Sequence, residues 1–300
     1  MAVHRIEELS WARIRKLAQQ NALFMVGLGP IEDHGSHLPS GVDWFLTEGF
    51  SRDIAERLVV ERPDLEVVLL PIYAFGSSVL QDLGCLRLAP PTLTRTLSEL
   101  VRYLEREGVR RVALMSAHGA VSQGLALNAV CRRFRGKLRC TAPCLPLIAR
   151  FLSGAFRAPL EQKLGRAFTE DEWKDLRHDT HAGAWETALM LQYRPDLVAD
   201  YYTGLPPHVP EKMGLTALRK LRTHRGYFGA PARASVELGA ALREVLAEQG
   251  ARVLLEFLEG KPARIKKPLL SPRDQMVAGG LGLAALLTWA WLYRRPARER

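Results

Sequence analysis

Five ionisable side chains stand within twelve positions: Glu32, Asp33, His34, His37 and Asp43, in the stretch VGLGPIEDHGSHLPSGVD over 26–43. A carboxylate, an imidazole and a second carboxylate suit a borderline divalent metal ion such as Zn²⁺, Mn²⁺ or Fe²⁺. Glu32 and His34 are two apart, so on an extended segment both side chains point to one side. Asp43 follows after a loop containing Gly35, Pro39 and Gly41. A carboxylate such as Asp43 can bridge two ions, as two-metal hydrolytic sites require. His118 closes another apolar run, VRRVALMSAHG over 109–119, and would add an imidazole from the end of a second strand.

A second cluster is HDTHAGAWETALML over 178–191. Asp179 or Thr180 can cap a helix that the apolar residues continue. His181 would lie at its mouth and Glu186 about a turn and a half in. Helix positions five apart do not share a face, so both reach one site only if His181 precedes the regular turns. Taken alone, this cluster also reads as an ordinary capped helix.

The elements that must position these residues alternate. Apolar runs at 22–29, 65–76 and 109–119 read as buried strands, and 138–147 as another strand or its end. Helical periodicity fills 44–60, 92–108 (closed by Gly108) and 125–134; a last amphipathic helix runs to about Gly260. Residues 151–180 read as helical with loops, and 203–231 as loop-rich. Strand, helix, strand, helix is the pattern of a mostly parallel sheet covered on both faces, a three-layer α/β/α fold. Ligands of such sheets sit outside the carboxyl ends of the strands, and both the 32–43 cluster and His118 fall there.

The chain has 300 residues, 47% of them hydrophobic, enough for a proper core. Its net charge of +10 favours anionic partners. No zinc finger or aromatic-interleaved basic sheet accompanies that charge, so nucleic acid is not the expected partner. Cys85, Cys131, Cys140 and Cys144 lack CxxC spacing and read as reduced, buried thiols. The amphipathic, charged start carries no secretory h-region. The stretch MVAGGLGLAALLTWAWLY, 276–293, has no charge and ends in Trp289, Trp291 and Tyr293. It predicts a transmembrane helix after a basic linker over 261–275 and before a basic tail over 294–300. The expectation is a single-pass C-terminal anchor touching membrane lipid, with the 1–260 domain cytoplasmic.

These motifs resemble the creatininase (creatinine amidohydrolase) family. Its Glu-x-His-Gly-x-His-Leu-Pro motif followed by Asp is matched over residues 32–43, and its His-Ala-Gly-x-x-Glu-Thr motif is intact as His181 to Thr187. Its Asn-Gly-His-Gly-Gly-Asn motif corresponds to Ser116–Val121, with Ala120 where creatininase itself carries a metal-binding Glu. The segment 226–239 resembles a late Gly-x-x-Gly-Asp-Pro segment, with Ala230 in place of Asp. The resemblance covers roughly residues 10–255. It implies one or two divalent ions per chain, Glu32, Asp43 and His118 on one and His34 with Asp43 on the other, with Glu186 available to the second. It implies an amidohydrolase acting on an amide, cyclic amide or peptide C–N bond, and assembly as a homo-oligomer. His181 is the catalytic candidate that moves the proton to the leaving nitrogen, with Glu186 orienting it. Two alternatives stand beside this reading: a membrane-bound scaffold without turnover, which Ala120 and Val121 favour, and a peptide-maturation factor.

Overall fold

Five short strands lie parallel among the described residues: β1 (Val3–Arg5), β2 (Leu23–Gly27), β3 (Val67–Leu69), β4 (Arg111–Met115) and β5 (Arg139–Thr141), in the order β1-β3-β2-β4-β5. The computed structural model describes residues 3–77, 85–134, 136, 138–209 and 226–261, without the side chains of 149 and 152. Every residue of β2 is buried, as a central strand covered on both faces requires. Leu23, Met25, Val67, Ala113 and Met115 point into one core; Phe24, Val26, Val68, Val112 and Leu114 point into the other. Fully burying one such aliphatic side chain is worth about 1.5–3 kcal/mol, so the two-sided strands anchor the domain.

The helices divide between those faces. On the first lie α2 (Val42–Glu61), α6 (Arg157–Leu164), α7 (Glu170–Leu176), α8 (Ala184–Tyr193) and α9 (Val236–Leu258). On the second lie α1 (Trp11–Gln19), α3 (Pro90–Arg106) and α4 (Val121–Arg133), while α5 (Cys144–Leu152) places residues in both cores. Local chemistry sets several of their ends. Ser10 and Ser235 cap α1 and α9 through their side chains, and α3 opens on two prolines, whose missing N–H groups cost nothing in a first turn. Gly108 follows α3 at φ +96°, a left-handed conformation that glycine adopts without strain.

The chain leaves β2 through α2 toward β3, and leaves β4 through α4 toward β5, in opposite directions along the sheet. With α2 on one face and α4 on the other, a crevice opens between the carboxyl ends of β2 and β4, the switch point where ligands of such sheets bind.

Two expectations are revised, and one element was not foreseen. The chain start contributes strand β1, which its charged, amphipathic pattern concealed. The predicted strand over 65–76 is regular only at Val67–Leu69, where both flanks are paired. The run over 138–147 supplies β5 and then turns into α5, with Pro146 tolerated in the first turn. The expected membrane location is corrected as well: among the described residues no helix is long and apolar enough to cross a membrane. The segment 276–293 that carried the expectation, and with it the lipid contact, lies outside those residues.

Candidate metal centre

The segment after β2 is irregular, and its geometry is set by hydrogen bonds. Leu28 N–H donates to Met115 O (2.9 Å), and Glu32 N–H to Ser40 O (2.9 Å), which closes the loop and returns the chain beside Glu32. Gly35 sits at φ +74° and donates its N–H to Asp33 Oδ1 (2.9 Å), an Asx turn. Asp43 lies in the first turn of α2, where the helix dipole favours an acid. A Cβ at Gly29 would overlap the backbone of Asp43 and Trp44, so only glycine lets α2 cross this close to the end of β2. Thr47 of α2 ties both strand ends together: its hydroxyl donates to Leu28 O (3.2 Å) and accepts from Ala117 N–H (3.0 Å). Ser116 Oγ accepts from His118 N–H (3.2 Å) and from Gln123 Nε2 (2.8 Å), so it fixes the backbone at His118.

These supports bring Glu32, His34, Asp43 and His118 together, all 7% exposed or less. His118 Nδ1 is 2.9 Å from Asp43 Oδ2 and 3.2 Å from Glu32 Oε2. Its Nε2–H donates to Ser77 O (3.2 Å), since a carbonyl only accepts. Nδ1 is therefore the nitrogen facing the two carboxylates. His34 Nδ1–H donates to Glu32 O (3.0 Å), which leaves the lone pair on Nε2. That atom is buried without a hydrogen-bond partner among the described residues. It lies 3.9 Å from Asp43 Oδ1 and 3.6 Å from Glu186 Oε2.

The helix side of the site is built differently. His181 precedes α8, and Glu186 lies in its first turn. Backbone bonds to Phe228 hold His181 in place: His181 N–H donates to Phe228 O (3.2 Å) and Phe228 N–H to His181 O (2.7 Å). Its ring Nε2–H donates to Asp33 O (2.7 Å), so Nδ1 is the basic nitrogen, and the ring lies 4.4 Å from that of His34. Ala182 stands at φ +47°, which costs an L residue about 1–2 kcal/mol. Glu186 Oε2 accepts its N–H (2.5 Å) and helps to hold it there.

Three overlapping groups could each take an ion, with ligand atoms mutually within 4.8 Å: Glu32, Asp43 and His118; His34, Asp43 and Glu186; Glu32, His34 and His181. The donors are nitrogen and carboxylate oxygen, the set that zinc, manganese and iron accept. Burying a single charge costs several kcal/mol, and a well-packed apolar cluster often does better than a buried ion pair. Stability is thus a poor account of four such groups at one point.

The electrostatics separate the two histidines. Burial pushes His34 down to about 3, with the neighbouring His181 adding to it, so it is neutral at pH 7 as a ligand must be. Burial works against a charged His118, but Asp43 and Glu32 outweigh it and hold the imidazole up at about 9. Burial likewise works against a charged Asp43, yet His118 holds its carboxyl below the usual range. Burial raises Glu186.

His37 does not join the cluster. Its Nε2 is 3.2 Å from Thr187 Oγ1 and its ring packs edge-on to Tyr227 at 5.7 Å, so it braces α8. Burial lowers it to about 4. Thr47, Ser77 and Gln123 were not singled out from sequence. The bonds of Thr47 and Ser77 to this site span 19 to 70 positions, and Gln123 reaches Ser77 across 46, with no local signature.

The sequence profile described as creatininase, creatinine amidohydrolase, matches residues 7–254. A creatinine amidohydrolase from Pseudomonas putida is 27% identical over 265 residues, 84% of this chain and 96% of the relative. A mycofactocin precursor peptide peptidase from Mycolicibacterium smegmatis is 23% identical over 263 residues, 84% of this chain and 88% of the relative. A solved structure named "Creatininase Mn" superposes with a TM-score of 0.65 at 23% identity, covering 86% of this chain and 99% of the other, a likeness of fold. Matched over most of its length, the chain belongs to the creatininase family.

Proposed function

We propose that this protein is a metal-dependent amidohydrolase that cleaves an amide or cyclic amide C–N bond. Glu32, Asp43 and His118 hold one divalent ion, and His34, Asp43 and Glu186 the second. Glu186 reaches the second position from α8, its Oε2 3.6 Å from His34 Nε2, and supplies a carboxylate in a chain that has Ala120 where creatininase itself carries its Glu. The observation that carries the reading is the convergence of these buried ligand atoms, with His34 Nε2 aimed among carboxylates and no hydrogen-bond partner of its own.

A divalent ion held there supplies Lewis-acid chemistry, polarising a carbonyl and acidifying water toward a pKa of about 7. The chain's own residues do the rest. His181 keeps its Nε2–H on Asp33 O, so Nδ1 takes a proton and passes it to the leaving nitrogen. Glu186 fixes the turn from which His181 acts, through its bond to Ala182 N–H.

The peptidase among the relatives supports a second choice of substrate, a short peptide rather than a cyclic amide. The test is metal analysis of the purified protein, then a hydrolysis screen over creatinine, other cyclic amides, N-formyl amides and short peptides. Stoichiometric metal, and a turnover that a chelator removes and added metal restores, is the expected result. A protein without bound metal and without turnover on any of these overturns the proposal.

A further inference from the structure

Asp179 is 2% exposed, and nothing in the reaction outlined above uses it. Its Oδ2 accepts two backbone N–H groups, from Ala184 (2.5 Å) and from Ala230 (3.0 Å). The first belongs to the opening residue of α8, a donor that the helix itself leaves unpaired. The second belongs to the segment 226–230. Two glycines enclose the carboxylate, and a Cβ at Gly183 or at Gly229 would overlap it. The same two segments are joined at His181 and Phe228 by backbone bonds in both directions. Asp179 thus sits where the turn bearing His181, the first turn bearing Glu186 and the 226–230 segment meet.

We propose that Asp179 is a positioning residue: its carboxylate, shared between Ala184 N–H and Ala230 N–H, sets where His181 and Glu186 stand relative to His34 and Asp43. It touches none of the reacting groups itself. The inference rests on the metal-centre reading only in what the positioning serves. An aspartate suits the place because it offers acceptors and no donor at this length. Asparagine keeps a carbonyl oxygen that can accept both N–H groups without the charge. Alanine keeps nothing.

The test uses the full chain and Co²⁺ alone, whose visible absorption reports the geometry and number of its ligands. Supporting partners of metal ligands are worth about 10–100-fold in affinity. Asp179→Ala is therefore expected to weaken Co²⁺ binding by about 10-fold or more, to alter the absorption envelope, and to speed hydrogen exchange at Ala184 and Ala230. Asp179→Asn should restore binding and envelope to near wild type, a rescue that a role resting on the carboxylate's negative charge does not predict. Gly229→Ala keeps the carboxylate but crowds it, and should reproduce the altered envelope should Asp179→Ala fail to fold. A folded Asp179→Ala or Gly229→Ala variant with wild-type envelope and wild-type exchange at both amides overturns the proposal. A wild-type chain that binds no Co²⁺ sinks the metal reading instead, and the exchange rates then decide on Asp179 alone.

Discussion

On the sheet side of the crevice, Glu32, His34, Asp43 and His118 ride on segments that leave β2 and β4, two strands buried on both faces and paired to each other along their length. On the helix side, His181 and Glu186 ride on a turn that no strand of the sheet holds. That turn is fastened by hydrogen bonds from outside the sheet: one to Asp33 O, several to Phe228, one to Asp179, and one from Ala182 N–H to Glu186. It also stores a strained residue, Ala182 at φ +47°. The contrast suits a division of labour. Under the proposed function the sheet side supplies most of the ligands, while the helix side supplies His181 for the proton and Glu186 as one further ligand.

Substitutions can break that contrast, beginning with the largest effect. Asp43 belongs to two of the three ligand groups. Asp43→Ala is expected to leave metal content below about a tenth of wild type and to abolish metal-dependent turnover, since even indirect supports of a ligand are worth ~10–100-fold in affinity. Plasma mass spectrometry of the purified variant reads this directly; full metal content would remove Asp43 from the centre.

On the helix side, His181→Ala should keep its metal while turnover falls by ~10²–10⁴, the usual worth of a general acid or base. Metal content and kcat are measured on the same preparation. Loss of metal would instead make His181 a ligand beside Glu32 and His34, a grouping the geometry also permits, and the two sides would then share one task.

The pH dependence of the metal-free protein sharpens the comparison on the sheet side. The carboxylates hold His118 up at about 9 against burial, above the ~6.5 of an unfolded histidine. Its contribution is complete below about pH 6.5 and is lost as pH rises through about 9. His34, driven down to about 3 chiefly by burial, is neutral in both states over that window. Asp179, pushed up to about 7 by burial, has largely given up its own contribution by then. Chemical denaturation of the metal-free chain should lose ~1–2 kcal/mol between pH 7 and 9, and a His118→Gln variant should lose less. Metal loading, which requires the unprotonated imidazole, should remove the decline. Equal slopes in wild type and variant would mean that His118 is not the group responsible.

The smallest effect concerns the strain. Ala182→Gly relieves the left-handed backbone but loosens the unfolded chain, so the net gain is about 0.5 kcal/mol. A rise in melting temperature of about one or two degrees, with metal content unchanged, is the expected reading. A fall would show that the surroundings, rather than the side chain, set the conformation.

The order of elements was legible because hydrophobic period and turn residues act locally. β2, α2, α3, β4 and α9 lie close to where the apolar runs, the helical periodicity and the glycines at 108 and 260 put them. The place of the site was legible for the same reason, since Glu32 to Asp43 and His118 each follow an apolar strand. Strand β1 was not, because its pairing partner β3 is over sixty positions away and its own residues are mixed in character.

Sequence alone also determined which chemistry the centre can support, because residue type decides which atoms can bind a metal or move a proton. Only the tertiary structure decided between the two histidines of the opening motif. His34 points its free nitrogen at Asp43 and Glu186, while His37, three positions on, is drawn away by Thr187 across 150 positions. It likewise decided that His181 stands outside the regular turns of α8 and beside His34, held by Asp33 O across 148 positions. Bonds of that span depend on how strands and helices pack in three dimensions, and no local period in the chain records them.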